Sequence, residues 1–274
     1  MLPTDSAFTP WLLGAVLVAL LGMLGWRAAT KDRREYQRFK RYHSTQRRQA
    51  MYRKWLFESM GWFGGSTLVV LVVVWGFVPR MLAQVETWPP MEWFRDVLAG
   101  SPLVSGFIVG GAIGLLIGLI ALVFFGRNAT EVPTIGDIHA LLPRNRAELK
   151  FGWALSINAG IVEELLFRLA MPALIFGVFG NALLAISVSL VVFGALHAYQ
   201  GVGGVIGSFV IGVVLMAVFL ATGNILWAIL VHALFDLRSL VLIPVVVYQV
   251  HLPEGERRAK TADVDESVPS VSEK

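Results

Sequence analysis

The sequence predicts an all-α fold: a polytopic membrane helix bundle of about seven transmembrane helices. Of its 274 residues 56% are hydrophobic and 15% charged, and the mean hydropathy is +0.67. Ordinary soluble domains carry about 25% charged residues. Apolar runs close to the length needed to cross a hydrocarbon core of about 30 Å recur along the chain. The charge is also concentrated, with eleven of the 23 basic residues lying between Arg27 and Lys54. There is no cysteine, which excludes disulfides, thiolate zinc sites, iron–sulfur clusters and thiol nucleophiles.

Seven runs qualify as spans: Trp11 to Trp26, Trp62 to Val78, Leu103 to Phe125, Phe151 to Phe179, Ala182 to Tyr199, Val205 to Thr222 and Ile225 to Val247. The first has no Lys or Arg before it and many after it, which suits a retained anchor with its N-terminus outside. Residues 27–54 then form a basic cytoplasmic loop by the positive-inside rule. Its interleaved Tyr36, Phe39, Tyr42, Tyr52 and Trp55 suit contact with anionic lipid headgroups better than nucleic acid, because the flanking spans already hold it at the bilayer. In the third span Gly106, Gly110, Gly114 and Gly118 repeat at four, a spacing for close helix packing. Trp62, Trp75 and Trp93 sit where interfacial anchors belong. Seven crossings place the C-terminus in the cytoplasm, and the polar tail from Leu252 has the composition of a disordered segment.

Charge within the bilayer costs about 2.5–3.5 kcal/mol per group on insertion scales and marks function by default. Seven ionisable residues fall between Phe151 and Val250: Glu163, Glu164, Arg168, His197, His232, Asp236 and Arg238. Glu164 and Arg168 are four apart with the acid first, the favourable order for a helical ion pair, and this pair is expected to neutralise itself. Glu163 lies about 100° round the helix and is left as the spare carboxylate. Phe193 and His197 share one helix face, as do His232 and Asp236. Counting from turns near Gly180 and Gly223 puts Glu163 and His197 at equal depth, with Asp236 about 6 Å and His232 about 12 Å shallower, all in the cytoplasmic half. Arg238 is expected to snorkel, or to pair with Asp236 or a lipid phosphate. His43, His139 and His251 fall in loops or the tail and read as solvated surface.

The three clusters read E-E-x-x-x-R (Glu163 to Arg168), F-x-x-x-H (Phe193 to His197) and H-x-x-x-N/D (His232 to Asp236). In this order, along residues 145 to 245, they resemble the CPBP family of intramembrane proteases, which includes the CAAX prenyl endopeptidases and bacteriocin-immunity proteins. The resemblance implies an intramembrane endopeptidase acting on a membrane-associated or prenylated peptide. Glu163 and His197 would activate a water, His232 and Asp236 would stabilise the oxyanion, and Glu164, Arg168 and Phe193 would support them. This chain carries the acidic form of the third motif. An ionised Asp236 cannot donate to an oxyanion, so it must be protonated, orient His232 or bind a metal. Zinc would find ligands in Glu163, His197 and His232, although the H-E-x-x-H pattern is absent and the chemistry does not require a metal. Motifs for aspartyl (G-x-G-D) and rhomboid-like serine (G-x-S-G) intramembrane proteases are absent as well.

The chain thus divides into a three-span N-terminal region (1–145) with its basic loop, a four-span catalytic core (146–250) and a tail (251–274). A proton-coupled transporter using the same groups as a relay, or a non-catalytic immunity or scaffold protein, are the competing readings.

Overall fold

The structure is a computed structural model and describes residues 6–100 and 136–253, with isolated positions 117, 121, 124 and 125 between them. All regular structure among the described residues is helical. Four helical runs there are long and apolar enough to cross a membrane, namely Thr9–Lys40, Thr45–Val74, Ala182–Thr222, which a tight turn at His197–Gln200 divides in two, and Ile225–Val246. The expected third span, Leu103 to Phe125, and its glycine repeat fall largely outside the described residues, as does most of the tail.

Helix α1, Thr9–Lys40, starts beside Pro10 and buries Leu13, Leu17, Leu20 and Leu24 as one stripe. It does not stop at Trp26. A widened turn at Arg27–Asp32 carries it into the basic segment, where Tyr36 and Phe39 are buried. The expected basic loop is therefore a helical hairpin: no Gly or Pro interrupts residues 27–40, and the aromatics give that stretch a face to dock. The chain reverses only at 41–44, and α2, Thr45–Val74, returns with Tyr52, Val70 and Val74 buried. Trp62, Trp75 and Trp93 are exposed, as interfacial anchors must be.

Two short helices follow, α3 (Phe77–Glu86) and α4 (Pro89–Gly100). Helix α5 runs over 146–179 and is interrupted in hydropathy only by the charges it carries, Glu163, Glu164 and Arg168 among them. It turns at Gly180 into α6, Ala182–Leu196; a short tight turn at His197–Gln200 leads to α7, Gly201–Thr222, and Gly223 leads to α8, Ile225–Val246. Gly180 and Gly223 have φ of 66° and 62°, a left-handed conformation that glycine adopts without penalty. Asn181 and Asn224 then cap the next helices by accepting backbone N–H bonds, each at 2.9 Å.

The main core joins α1, α3, the second half of α5 and α6. Large apolar side chains such as Trp11, Val72, Val191, Val210 and Leu226 face outward, the surface a hydrocarbon solvent requires.

The basic hairpin is fixed to the start of α5 by a buried ion pair. Arg48 and Glu148 have no exposed side-chain surface, and the Arg48 Nε–H lies 3.1 and 3.0 Å from the two Glu148 oxygens. The remaining Arg48 nitrogens donate to the carbonyls of Ala140 and Leu142 and to the Tyr52 hydroxyl, at 3.1, 3.0 and 2.7 Å. Phe39, Tyr52 and Phe151 pack around it. With its partners satisfied, such a pair is tolerated, whereas removing one member strands the other. Glu148→Ala is expected to destabilise the protein by about 3–5 kcal/mol, read as a lower melting temperature in detergent. The apolar double replacement Arg48→Met with Glu148→Leu is expected to recover most of that loss, and equal melting of single variant and parent would contradict this role.

Candidate active site

The carboxylates sit where α5 is deformed. Pro172 has no N–H to give to the turn before it, and the helix widens over Leu165–Ala170 immediately after Glu164. Glu164 and Arg168 pair as their spacing predicts, Nε to Oε2 at 3.0 Å and Nη2 to Oε1 at 3.1 Å, with both side chains wholly buried. The pair does not stand alone, however. His232 Nδ1 of α8 lies 2.8 Å from Glu164 Oε1. An ionised carboxylate only accepts, so Nδ1 carries the hydrogen and the pair becomes a triad.

Close helix approach makes this contact possible. A Cβ on Gly152 would lie 2.5 Å from the Leu240 carbonyl, and one on Gly160 would lie 3.0 Å from that of Ile229. Only glycine permits α5 and α8 to cross so tightly, and their crossing brings His232 to the depth of Glu164. The depth offset of about 12 Å expected from straight-helix counting is therefore absent, because the widened turn and the crossing shift the register.

Phe193 of α6 supports the site from the other side. Its ring lies 5.0 Å from the Arg168 guanidinium and within edge-on contact of Phe167, His197 and His232. Its carbonyl oxygen is 2.9 Å from His197 Nδ1. A carbonyl can only accept, so neutral His197 holds its hydrogen on Nδ1 and keeps a lone pair on Nε2.

Glu163, His197, His232 and Asp236 line one cavity of about 470 Å³. Glu163 is half-buried, and among the described residues no group hydrogen-bonds or ion-pairs with its carboxylate. Asp236 Oδ2 is 3.8 Å from His232 Nε2, beyond a hydrogen bond but next to the nitrogen that Glu164 leaves free. Arg238 lines the same cavity and does not pair with Asp236, contrary to one of the sequence expectations. The metal set Glu163, His197 and His232 fares differently: among the described residues no three His, Asp or Glu side chains are arranged to hold an ion.

Sequence reasoning missed the N-terminal wall. Arg27, Asp32, Tyr36 and Trp55 line the cavity too. The Tyr36 ring meets Tyr199 edge-on at 5.2 Å, and Tyr199 stacks on His197 with centroids 6.2 Å apart. The Tyr36 hydroxyl donates to the Asp137 carbonyl, and Lys40 pairs with the Asp137 carboxylate. Arg27 and Arg48 are buried inside the protein. The aromatics among the cations were the available signal, and they serve an inward face.

Residues 145–238 match the family described as type II CAAX prenyl endopeptidase, Rce1-like. This segment, about a third of the chain, is similar to that family, and it is the part that carries the three motifs. The matched segment runs from Asn145, the N-cap of α5, to Arg238 and contains Glu163, Glu164, Arg168, Phe193, His197, His232 and Asp236. No curated protein and no solved structure matches the chain.

The two adjacent glutamates differ in surroundings and so in the consequence of their loss. Glu164→Gln leaves Arg168 buried beside a neutral amide and is expected to cost about 3–5 kcal/mol. Glu163→Gln, which breaks no contact, is expected to stay within about 0.5 kcal/mol of the parent. Thermal unfolding of the two variants in one detergent checks the contrast, and equal losses would remove it.

Proposed function

We propose that this CAAX-type protease hydrolyses a peptide bond of a membrane-associated or lipidated peptide, using a water activated by Glu163 and His197. The observation that carries the reading is the unpartnered Glu163 carboxylate facing the same cavity as the free Nε2 of His197. Each of these groups is an acceptor with nothing else to bind, and a water between them would donate one hydrogen to each. Its oxygen is then directed at a carbonyl carbon in the cavity, and Glu163 takes the proton as the bond forms. Glu163 next delivers that proton to the departing amine, so the glutamate ends as it began.

The oxyanion needs a donor, and His232 is placed for this. Nδ1–H is spent on Glu164, which fixes the ring, so Nε2 is the nitrogen that meets the cavity. With Asp236 3.8 Å away, a proton carried by Nε2 or by the carboxyl group is available to the developing charge. This assigns Asp236 an orienting and proton-holding role, the one its acidic form permits without a metal.

The basic hairpin lies on the same side of the bundle as the cavity. By the positive-inside rule that side is the cytoplasm, with the N-terminus outside, the C-terminus inside and the site open to cytoplasmic substrates. The lysines and arginines of residues 27–54 that remain on the surface contact anionic headgroups there.

Membrane-peptide profiles of cells expressing parent, Glu163→Gln or His197→Ala at matched abundance test the reaction. The same cleavage products are expected to vanish from both variants, a fall of at least about 100-fold. Products that persist in either variant would exclude this mechanism, and substrate flux without cleavage would favour transport.

A further inference from the structure

His197 stands at a weak point of the backbone. It ends α6 with φ −86° and ψ 11°, in the bridge region rather than the helical one, and the tight turn after it closes at Gly201 with a φ of 80°. Neither flanking helix therefore fixes the residue whose Nε2 must meet a water. Neighbouring groups do: Nδ1 lies 2.9 Å from the Phe193 carbonyl, the Phe193 ring is edge-on at 5.0 Å, and the Tyr199 ring lies near-parallel, at 27° and 6.2 Å.

Tyr199 is in turn held from the N-terminal region. The buried Tyr36 ring of α1 meets it edge-on at 5.2 Å, and Gln200 Nε2 donates to its hydroxyl at 2.8 Å. A strap at 136–138 ties the two sides together. The Asp137 N–H donates to the Gln200 carbonyl at 3.0 Å, the Asp137 carbonyl accepts from the Tyr36 hydroxyl, and the Asp137 carboxylate pairs with Lys40. A Cβ on Gly136 would lie 2.8 Å from the Gly204 Cα, so the strap rests directly on the first turn of α7.

We propose that Tyr199, backed by Tyr36, is a positioning residue of the reaction: it fixes the His197 ring so that Nε2 and the Glu163 carboxylate share one water. The inference rests on the endopeptidase reading and adds that the N-terminal region acts on the chemistry through one aromatic pair. An imidazole held only through Nδ1 can still pivot about that bond, and a ring laid along its face removes the freedom. A displacement of about 1 Å near reacting atoms costs on the order of 100-fold in rate. The ring of Tyr199 is what this role requires, since its hydroxyl is bound to Gln200 and not to His197.

Tyr199→Leu and Tyr199→Phe, with the same pair at Tyr36, test this in full-length protein in detergent with a farnesyl-cysteine tetrapeptide as probe. Each leucine variant is expected to lower kcat at least about tenfold with KM within about twofold of the parent, and each phenylalanine variant to stay within about threefold in both. Nitrogen-15 NMR of the peptide-free variants reads the ring itself: the His197 signal is expected to shift or split on Tyr199→Leu and to hold on Tyr199→Phe. Unchanged kcat in Tyr199→Leu, or a His197 signal indifferent to it, overturns the proposal. So does a loss carried by KM, which makes Tyr199 a peptide contact, or a Tyr199→Phe variant as slow as Tyr199→Leu, which assigns the hydroxyl. Should Tyr36→Leu not fold, the pair at Tyr199 decides alone. No cleavage by the parent, with a His197 signal that still moves on Tyr199→Leu, would instead refute the endopeptidase reading and leave the positioning of the ring standing.

Discussion

Three charged or polar side chains from two helices, Arg168, Glu164 and His232, meet in a buried position, and the site is organised around them. Bringing a carboxylate and a guanidinium out of solvent is expensive, and only good geometry with satisfied partners offsets it. Here Glu164 Oε1 takes hydrogen bonds from both the arginine and the imidazole and the Phe193 ring faces the guanidinium, while Arg168 Nε and Nη1 and Glu164 Oε2 are buried without a hydrogen bond among the described residues. Because Glu164 takes the arginine, its neighbour Glu163 has no hydrogen-bond or ion-pair partner among the described residues. One glutamate of the pair builds the site and the other remains free to accept a proton. The tautomer of His232 follows from the same contact, and that of His197 follows from the Phe193 carbonyl.

The helix crossing that allows this depends on small residues. Gly152 and Gly160 let α5 approach the backbone of α8, and the widened turn before Pro172 follows immediately on Glu163 and Glu164. On the opposite wall, the Arg48–Glu148 pair pins the basic hairpin against the start of α5 and so brings Tyr36, Trp55 and Arg27 to the cavity. The half of the chain outside the family match thereby shapes the space in which the matched motifs act.

Periodic features were legible in the sequence, and features set by packing were not. Hydropathy and length gave the helical membrane class, and the turns at Gly180 and Gly223 stand where the apolar runs break. Spacing at four gave the Glu164–Arg168 contact and the pairing of faces at Phe193 with His197 and His232 with Asp236. What it could not give was the third partner of Glu164, since a straight helix counted residue by residue misplaces His232 by about two turns. The continuation of α1 to Lys40 was hidden for a related reason. Charge density reads as solvent exposure, yet Tyr36 and Phe39 at their spacing mark one buried face. Arg238 likewise reads as a residue that snorkels or pairs with Asp236 or a lipid phosphate, and only the packing places it in the cavity wall, unpaired with Asp236.

Nitrogen-15 NMR of histidine-labelled protein tests the assignment of roles most directly. His197 is expected as a neutral ring protonated at Nδ1, and His232 as a ring whose Nδ1 hydrogen is bound to a carboxylate. The His232 signal should move on Glu164→Gln and hold on Phe8→Ala, a change remote from the site. A His197 ring protonated at Nε2 alone, or a His232 signal indifferent to Glu164→Gln, would contradict the division of labour between the two glutamates.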